Sequence, residues 1–275
     1  MTKVWLVTGG SRGLGRAIVE EALAAGNQVV ATARNIDTLK DLEDRHSAQV
    51  LRFALDVTDY GQAEAAVAAA VERFGRLDVV VNNAGYANLA SVEEVEMTDF
   101  REQMEAVFFG TVHVTKAALP AFLGQGSGHF IQVTSIGGRG TAPATSAYQS
   151  AKFATEGFSG VLNDEIRHLG IKVTMAEPGL MRTDWSGPSM VMRPYHERYE
   201  PAFAPLFGHL QDSRGTEPID PVKVARVLLD VVDMAEPPLH LVLGKDAVAR
   251  IQAGMAAQVA EDARWAELGR SVDFA

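Results

Sequence analysis

The sequence predicts a doubly wound α/β fold: one parallel sheet of about seven strands with helices on both faces. Two observations carry that expectation. Short β-branched runs alternate with longer helix-patterned stretches along most of the 275 residues, and such alternation means parallel strands joined by right-handed crossovers. The short runs are almost continuously apolar rather than alternating, which suits strands covered on both faces. A glycine-rich turn between the first strand and the first helix adds a third.

Each element follows from local pattern. Strands are expected at 4–8 (VWLVT), 28–33 (QVVATA), 50–55 (VLRFAL), 77–82 (LDVVVN), 129–135 (HFIQVTS), 171–177 (IKVTMAE) and 239–243 (LHLVL). Helical periodicity falls at 14–25, 59–74, 99–123, 147–169 and 220–235, with turn signals at Gly26-Asn27, Gly75-Arg76 and Gly170 between them. The alanine-rich stretch 62–70 is a strong helix former rather than a linker. Residues 184–217 break the rhythm. They are rich in proline and aromatic residues, show little periodicity, and read as a long loop of functional kind. A terminal helix is expected over 246–268, with an apolar stripe through Val248, Ile251, Met255, Val259 and Trp265. With no repeat and no Pro/Ser-rich hinge, 1–275 reads as a single domain.

Composition narrows the function classes. Apolar residues make up 47% and charged residues 22%, so a sizeable core can form. The net charge of −10 argues against a nucleic-acid backbone binder. Having no cysteine excludes disulfides, thiolate metal sites and cysteine nucleophiles, and suits a reducing cytoplasm. The first ten residues lack the features of a signal peptide. No apolar run comes near the roughly 18 residues of a membrane span. A soluble cytoplasmic protein is the expectation. No metal is expected: the seven histidines show no ligand spacing, and His196-Glu197-Arg198-Tyr199-Glu200 lacks the second histidine of a zinc-binding helix. Pairs such as Glu93-Glu94 read as solvated loop charges.

Thr8-Gly9-Gly10-Ser11-Arg12-Gly13-Leu14-Gly15 follows the first strand and opens the first helix. Glycine there lets the backbone turn tightly and approach a pyrophosphate, which then sits on the helix N-terminal amides. Gly9, Ser11, Arg12, Gly13, Leu14 and Gly15 are therefore candidate dinucleotide-binding residues. The second strand ends Ala31-Thr32-Ala33-Arg34, with no carboxylate where a ribose 2′-hydroxyl would need one. The guanidinium fork of Arg34, with Arg12 beside it, instead suits a 2′-phosphate, so NADP(H) is favoured over NAD(H).

Tyr148 and Lys152 lie four residues apart, on one helix face. A phenol titrates near 10, and a nearby ammonium favours its ionised form; lowering it by about three units would require roughly 4 kcal/mol. Alone this pair is a weak signal. Ser135, however, ends an apolar strand thirteen residues earlier, Asn82-Asn83-Ala84-Gly85 ends the fourth strand, and Pro178-Gly179 through Thr183 ends the sixth. Ligands of doubly wound sheets bind outside the carboxyl ends of the strands, so these groups converge.

In order and spacing, Thr8-Gly9…Gly13…Gly15, Asn82-Asn83-Ala84-Gly85, Ser135, Tyr148…Lys152 and Pro178-Gly179…Thr183 resemble the motifs of the short-chain dehydrogenase/reductase family, over about residues 3–245. The resemblance implies a Rossmann fold and an NADP(H)-dependent oxidoreductase that moves hydride between nicotinamide and a ketone, aldehyde or secondary alcohol. It implies Tyr148 as acid–base, Ser135 holding the substrate oxygen, and Lys152 lowering the tyrosine pKa and binding the nicotinamide ribose. Pro178, Gly179 and Thr183 would fix the carboxamide. Asp56, with Val57, would contact adenine, and Asn82, with Ala84 and Gly85, would support the cofactor-side loop. The carbonyl-reductase and hydroxysteroid-dehydrogenase-like branches are the most similar.

One position departs from the family pattern. Val107, in Ala106-Val107-Phe108-Phe109-Gly110, stands where many members have an asparagine that helps hold a proton-relaying water. Either the backbone carbonyl at 107 still holds such a water or the relay runs elsewhere; the expectation is slower proton exchange without loss of activity, and Val107→Asn leaving rate and pH profile unchanged would count against it. Trp185, Met190, Met192, Tyr195, Tyr199, Phe203 and Phe207 either line an apolar lid, which implies a bulky apolar carbonyl or alcohol substrate, or merely pack the loop onto the body. The family's habit of pairing through the tyrosine helix, together with Ala151, Ala154, Gly157 and Gly160, implies a homodimer or homotetramer. Two rivals stay open: a catalytically weak NADP(H)-binding sensor or scaffold, and an epimerase or dehydratase using the same site.

Overall fold

A computed structural model describes residues 2–186 and 190–274. The chain runs β1 (Val4–Val7), α1 (Gly13–Ala24), β2 (Gln28–Ala33), α2 (Lys40–His46), β3 (Val50–Ala54), α3 (Tyr60–Phe74) and β4 (Val79–Asn82). It continues through β5 (Ala87–Leu89), α4 (Met97–Met104), α5 (Gly110–Gln125), β6 (Gly128–Val133), α6 (Ser146–Ile166) and β7 (Ile171–Pro178). Last come β8 (Met190–Met192), α7 (Glu200–Asp212), α8 (Pro221–Asp233), β9 (His240–Leu243) and α9 (Lys245–Arg270). The seven expected strands form one sheet in the order β3-β2-β1-β4-β6-β7-β9, every neighbouring pair parallel. This is the Rossmann-like arrangement that the alternation predicts.

Successive strand side chains point to opposite faces, and in the main sheet both faces are covered. Trp5, Val7, Val29 and Val79 pack with Ile18, Ala22, Leu228 and Val232 of α1 and α8. Val4, Leu6, Val30, Val80 and Phe130 pack with Ala66, Val114, Phe122 and Leu162 of α3, α5 and α6. Each of these larger side chains contributes about 1.5–3 kcal/mol on burial, which is why the strands are apolar at every position. β1 has β2 on one side and β4 on the other. The chain reverses its direction of winding there, and a crevice opens at their carboxyl ends. At the opposite rim α3 and α5 end on left-handed glycines, Gly75 (φ 80°) and Gly126 (φ 66°), which let the chain turn sharply into the next strand.

Within that rim His129 on β6 is buried and hydrogen-bonds the Thr174 hydroxyl at 2.9 Å. Burial, reinforced by Lys172 and Lys3, pushes it down to about 3, so it is neutral.

Four features differ from the sequence expectation. The polar α2 has a single buried residue, Leu42, and is tied down by ion pairs from Arg45 and Arg16 to Asp41 and from Arg52 to Glu43. Residues 184–217 are not a structureless loop: among the described residues they contain β8, which pairs with β5 in a separate two-stranded sheet, and the helix α7. Residues 187–189 of that segment lie outside the described residues. Pro201 opens α7, where its missing N–H costs nothing, whereas Pro205 inside it disguises the helix in the sequence.

The expected helix over 99–123 is a helical path from 97 to 125 interrupted by one π-helical turn, Glu105–Phe109. By length and composition this path could cross a membrane, contrary to the sequence expectation. Here it buries Val107, Val114, Thr115, Ala118 and Phe122 in the core. Finally, α9 extends beyond the stripe expected for it, yet only Ala247 and Ile251 are buried. Val248, Met255, Val259 and Trp265 are exposed, because the helix leaves the body after its first turns.

Candidate active site

The glycine loop occupies the crevice between β1 and β4. Gly9 and Gly13 have φ of 66° and 56°, values that side chains resist. A Cβ on Gly15 would overlap the Gly9 carbonyl and come within 2.5 Å of Asn83 Nδ2. Arg12 caps α1 with extended backbone and no side-chain hydrogen bond, and the first turn has no acidic residue. The opening amides of α1 are thus left without a side-chain acceptor among the described residues, which fits a pyrophosphate. Thr183 packs on the same loop, its Cβ 3.4 Å from where a Gly13 Cβ would lie.

The Asn82-Asn83-Ala84-Gly85 turn divides its labour differently from the sequence expectation. The buried Asn82 donates to Thr115 Oγ1 (3.1 Å) and Gln132 Oε1 (2.9 Å), so its side chain ties β4 to α5 and β6 inside the core. Asn83 supports the loop instead: its amide donates to the Thr8 carbonyl (2.9 Å) and the Gly9 carbonyl (3.3 Å). The Thr8 hydroxyl accepts from the backbone N–H groups of Asn83 and Ala84. Sequence reasoning placed Asn83 and Thr8 within these motifs but gave neither a role, although side chains that can bond backbone next to a glycine turn are the available signal.

Around the remaining rim, Asp56 uses Oδ1 to hold the Thr58 N–H (3.0 Å) and hydroxyl (2.8 Å). Val57 presses on Gly110, where a Cβ would meet it at 2.6 Å. Gly179 N–H donates to the Leu243 carbonyl (3.1 Å), fixing the turn after β7. Arg34 and Arg12 are exposed and have no ion pair among the described residues, whereas Arg16, Arg45 and Arg52 nearby are paired with carboxylates.

Ser135, Tyr148 and Lys152 come together at the ends of β6 and the start of α6. Ser135 is anchored by the Gly137 N–H at 3.0 Å, and its hydroxyl acts on the Tyr148 phenol, drawing its pKa down. The turn before α6 is held by Ala144, whose left-handed φ of 62° is strained for a residue with a side chain; its carbonyl accepts from Ala90 N–H at 2.9 Å. Lys152 Nζ donates to the Val133 carbonyl at 2.7 Å and lies 5.8 Å from the Tyr148 ring centroid.

Electrostatics depart from expectation here. Burial pushes the Tyr148 phenol up to about 12, only partly offset by Ser135. Burial also pushes Lys152 down to about 8, with Glu156 pulling it back up. Desolvation thus dominates at both groups, and it favours the neutral phenol.

Val107 is buried in the π-helical turn, against Gly85, and its carbonyl accepts the Thr111 hydroxyl at 2.9 Å. Trp185 lies across Tyr148, ring centroids 5.4 Å apart. The other aromatic candidates divide. Phe203 is buried with Leu89, Ala144 and Leu210, and Tyr195, Tyr199, Phe207 and Met190 pack around it, while Met192 is exposed. They build a small second core over the site, and Trp185 alone meets the tyrosine.

The fold also assembles what sequence spacing did not show. Glu156, Glu177 and His240, from α6, β7 and β9, place their ligand-type atoms within 4.8 Å of one another.

A glycine cradle at the switch point of a parallel sheet, beside a serine, a tyrosine and a lysine, defines a dinucleotide-dependent oxidoreductase. The family model described as short chain dehydrogenase matches residues 3–192, and the chain belongs to that family of NAD(P)-dependent oxidoreductases. It is 49% identical to oxidoreductase BOA17 of Botryotinia fuckeliana over 98% of both chains. Among solved structures, a short-chain dehydrogenase from Streptomyces avermitilis superposes with a TM-score of 0.94 at 36% identity, over all of both chains. An alcohol dehydrogenase from Thermococcus sibiricus complexed with 5-hydroxy-NADP superposes at 0.72 with 25% identity, over 88% of this chain and 96% of that one.

Proposed function

We propose that the chain is an NADP(H)-dependent oxidoreductase acting between a ketone or aldehyde and the corresponding alcohol, with Tyr148 as general acid–base. The observation that carries this reading is the meeting of Ser135, Tyr148 and Lys152 at the carboxyl end of the sheet, beside the glycine loop. When bound, the nicotinamide supplies or accepts the hydride. The Ser135 hydroxyl holds the substrate oxygen. Tyr148, protonated at neutral pH, donates its proton to that oxygen in reduction, a step general acids typically accelerate about 100- to 10,000-fold. Lys152 lies behind the phenol ring and compensates the phenolate left behind. Trp185 covers the tyrosine with an apolar ring that excludes water, which favours an apolar carbonyl substrate.

Gly9, Ser11, Gly13, Leu14 and Gly15 would hold the pyrophosphate, Asp56 and Val57 the adenine end, and Pro178, Gly179 and Thr183 the carboxamide. Preference for NADP(H) rests on two exposed arginines without an ion pair among the described residues, Arg34 at the end of β2 and Arg12 in the glycine loop. The rival sensor or scaffold reading draws on the apolar Val107 alone. Gly157 and Gly160 on α6 have open space where a Cβ would point, so a second copy of the chain can approach that face closely.

The test is fluorescence-detected titration with NADPH and NADH, alongside Arg34→Asp, followed by a carbonyl screen with the cofactor that binds. Tight NADPH binding weakened by Arg34→Asp supports the cofactor reading, and equal or preferred NADH binding sinks it. Binding without turnover of any carbonyl favours the sensor.

A further inference from the structure

Behind Lys152, on the side away from the crevice, lies a cluster of charged groups that the acid–base reading does not use. Glu177 is fully buried at the end of β7 and accepts from Arg139 Nη1 at 3.0 Å. It also contacts His240 Nδ1 at 2.6 Å, a hydrogen bond by its length. Glu156, one helical turn after Lys152, is 9% exposed, and neither of its carboxylate oxygens has a hydrogen-bond partner among the described residues. Its closest charged contact is His240 Nδ1, 3.5 Å from Oε2. The His240 side chain is 45% exposed and so opens the cluster to water. Gly138 makes the arrangement fit, since a Cβ there would lie 2.8 Å from Glu156 Cγ.

Charge counting shows what such a cluster must hold. Arg139 balances one of the two buried carboxylates. A second buried negative charge without compensation would be costly. It is balanced by a proton with three places to sit: the Lys152 amine, Glu156 and His240. The affinities of Glu156 and Lys152 are drawn together, since burial and Glu177 raise Glu156 while burial lowers Lys152. Thr134, Arg139 and His240 offset the rise at Glu156 only in part.

We propose that Glu156, Glu177 and His240 form a proton relay that links Lys152 to solvent, acting through Lys152 rather than on the substrate. The proposal rests on Tyr148 being the acid–base. In reduction, hydride reaches the carbonyl carbon and Tyr148 gives its hydroxyl proton to the oxygen, leaving a phenolate. The Lys152 ammonium returns a proton to the phenolate and becomes a neutral amine. A proton passes from the Glu156 carboxylic acid, one helical turn along α6, to that amine through an intervening water, His240 reprotonates Glu156, and solvent reprotonates His240, with Glu177 and Arg139 holding the imidazole in place. One proton crosses per hydride, no electrons move along the relay, and oxidation runs it backwards. Val107 gives such a route a purpose: its side chain can neither donate nor accept a proton, and its carbonyl is shared with the Thr111 hydroxyl.

Two measurements test it. Infrared spectroscopy of the wild type at neutral pH is expected to show a buried carboxylic acid C=O band that shifts in D2O and vanishes in Glu156→Gln; no such band in the wild type overturns the relay. With NADPH and 9,10-phenanthrenequinone as probe, Glu156→Gln is expected to lower kcat about tenfold above pH 8. Its NADPH affinity and single-turnover hydride transfer stay unchanged, and the solvent isotope effect on kcat grows. His240→Gln, at the half-exposed end, should show the same pattern more weakly and guards against a folding artefact. Wild-type kcat, pH profile and isotope effect in both variants overturn the relay alone. A wild type that reduces neither the quinone nor any ketone overturns the acid–base reading, and the relay with it.

Discussion

The cofactor rim and the cap over it are built by opposite means. At the rim, position is dictated by backbone: positive-φ glycines, an uncapped helix start, and a Thr8–Asn83 hydrogen-bond lattice with no room for an extra methyl group. In the cap, β5, β8 and α7 enclose a small core of side chains around Phe203, whose rings tilt and stack against Tyr195, Tyr199 and Phe207. Backbone constraint leaves a few obligatory residues at fixed spacing. Side-chain packing admits many solutions of equal volume. A rim of this kind can therefore be read from its letters, whereas a cap has to be seen.

Substitutions in the two regions should separate along that line. The largest effect is expected where rim and cap meet: Tyr148→Phe removes the proposed acid but keeps the ring under Trp185, so kcat should fall about 100- to 10,000-fold with NADPH affinity retained, measured by steady-state turnover and titration. Next, Phe203→Ala empties the cap core and should cost about 3–5 kcal/mol locally. Hydrogen exchange would show it as faster opening of α7, with the main sheet and NADPH binding unaffected; loss of protection in β1 or β4 would break the distinction. Gly15→Ala does the reverse. Relieving its overlap should cost about 1–3 kcal/mol, weakening NADPH binding about ten- to a hundredfold while the cap's exchange stays as it was.

The smallest effect belongs to neither region but to the sheet beneath both. His129 stays neutral in the folded chain down to about 3, whereas the unfolded chain protonates it near its ordinary value. Its stability contribution is complete above pH 6.5 and is lost as pH falls from there towards 3, by at most about 1.4 kcal/mol per unit. Urea midpoints measured from pH 7 to 5 should fall less in His129→Gln than in the wild type.

The strands of the main sheet were legible because continuous apolar runs between turn signals leave little choice of structure. The convergence of Ser135, Tyr148 and Lys152 followed from their places at strand and helix ends. α2 escaped because its hold is electrostatic, through Asp41 and Glu43, with one apolar anchor. β5 and β8 escaped because three-residue strands have no period to detect, and α7 because Pro205 reads as a breaker. The Asn82–Asn83 exchange of roles turns on which of two adjacent side chains faces inward, a matter of one strand register. Glu156, Glu177 and His240 are 84 residues apart from first to last, so only the fold makes them neighbours.

Because all seven strands of the main sheet run the same way, every loop that meets a ligand leaves from one rim. The turns at Gly75 and Gly126 leave from the other, into open space. That far rim is a handle. A dye, a surface tether or a whole fused protein attached at the turn after α3 or α5 would sit a full strand length from the chemistry, immobilising or labelling the enzyme without entering its crevice.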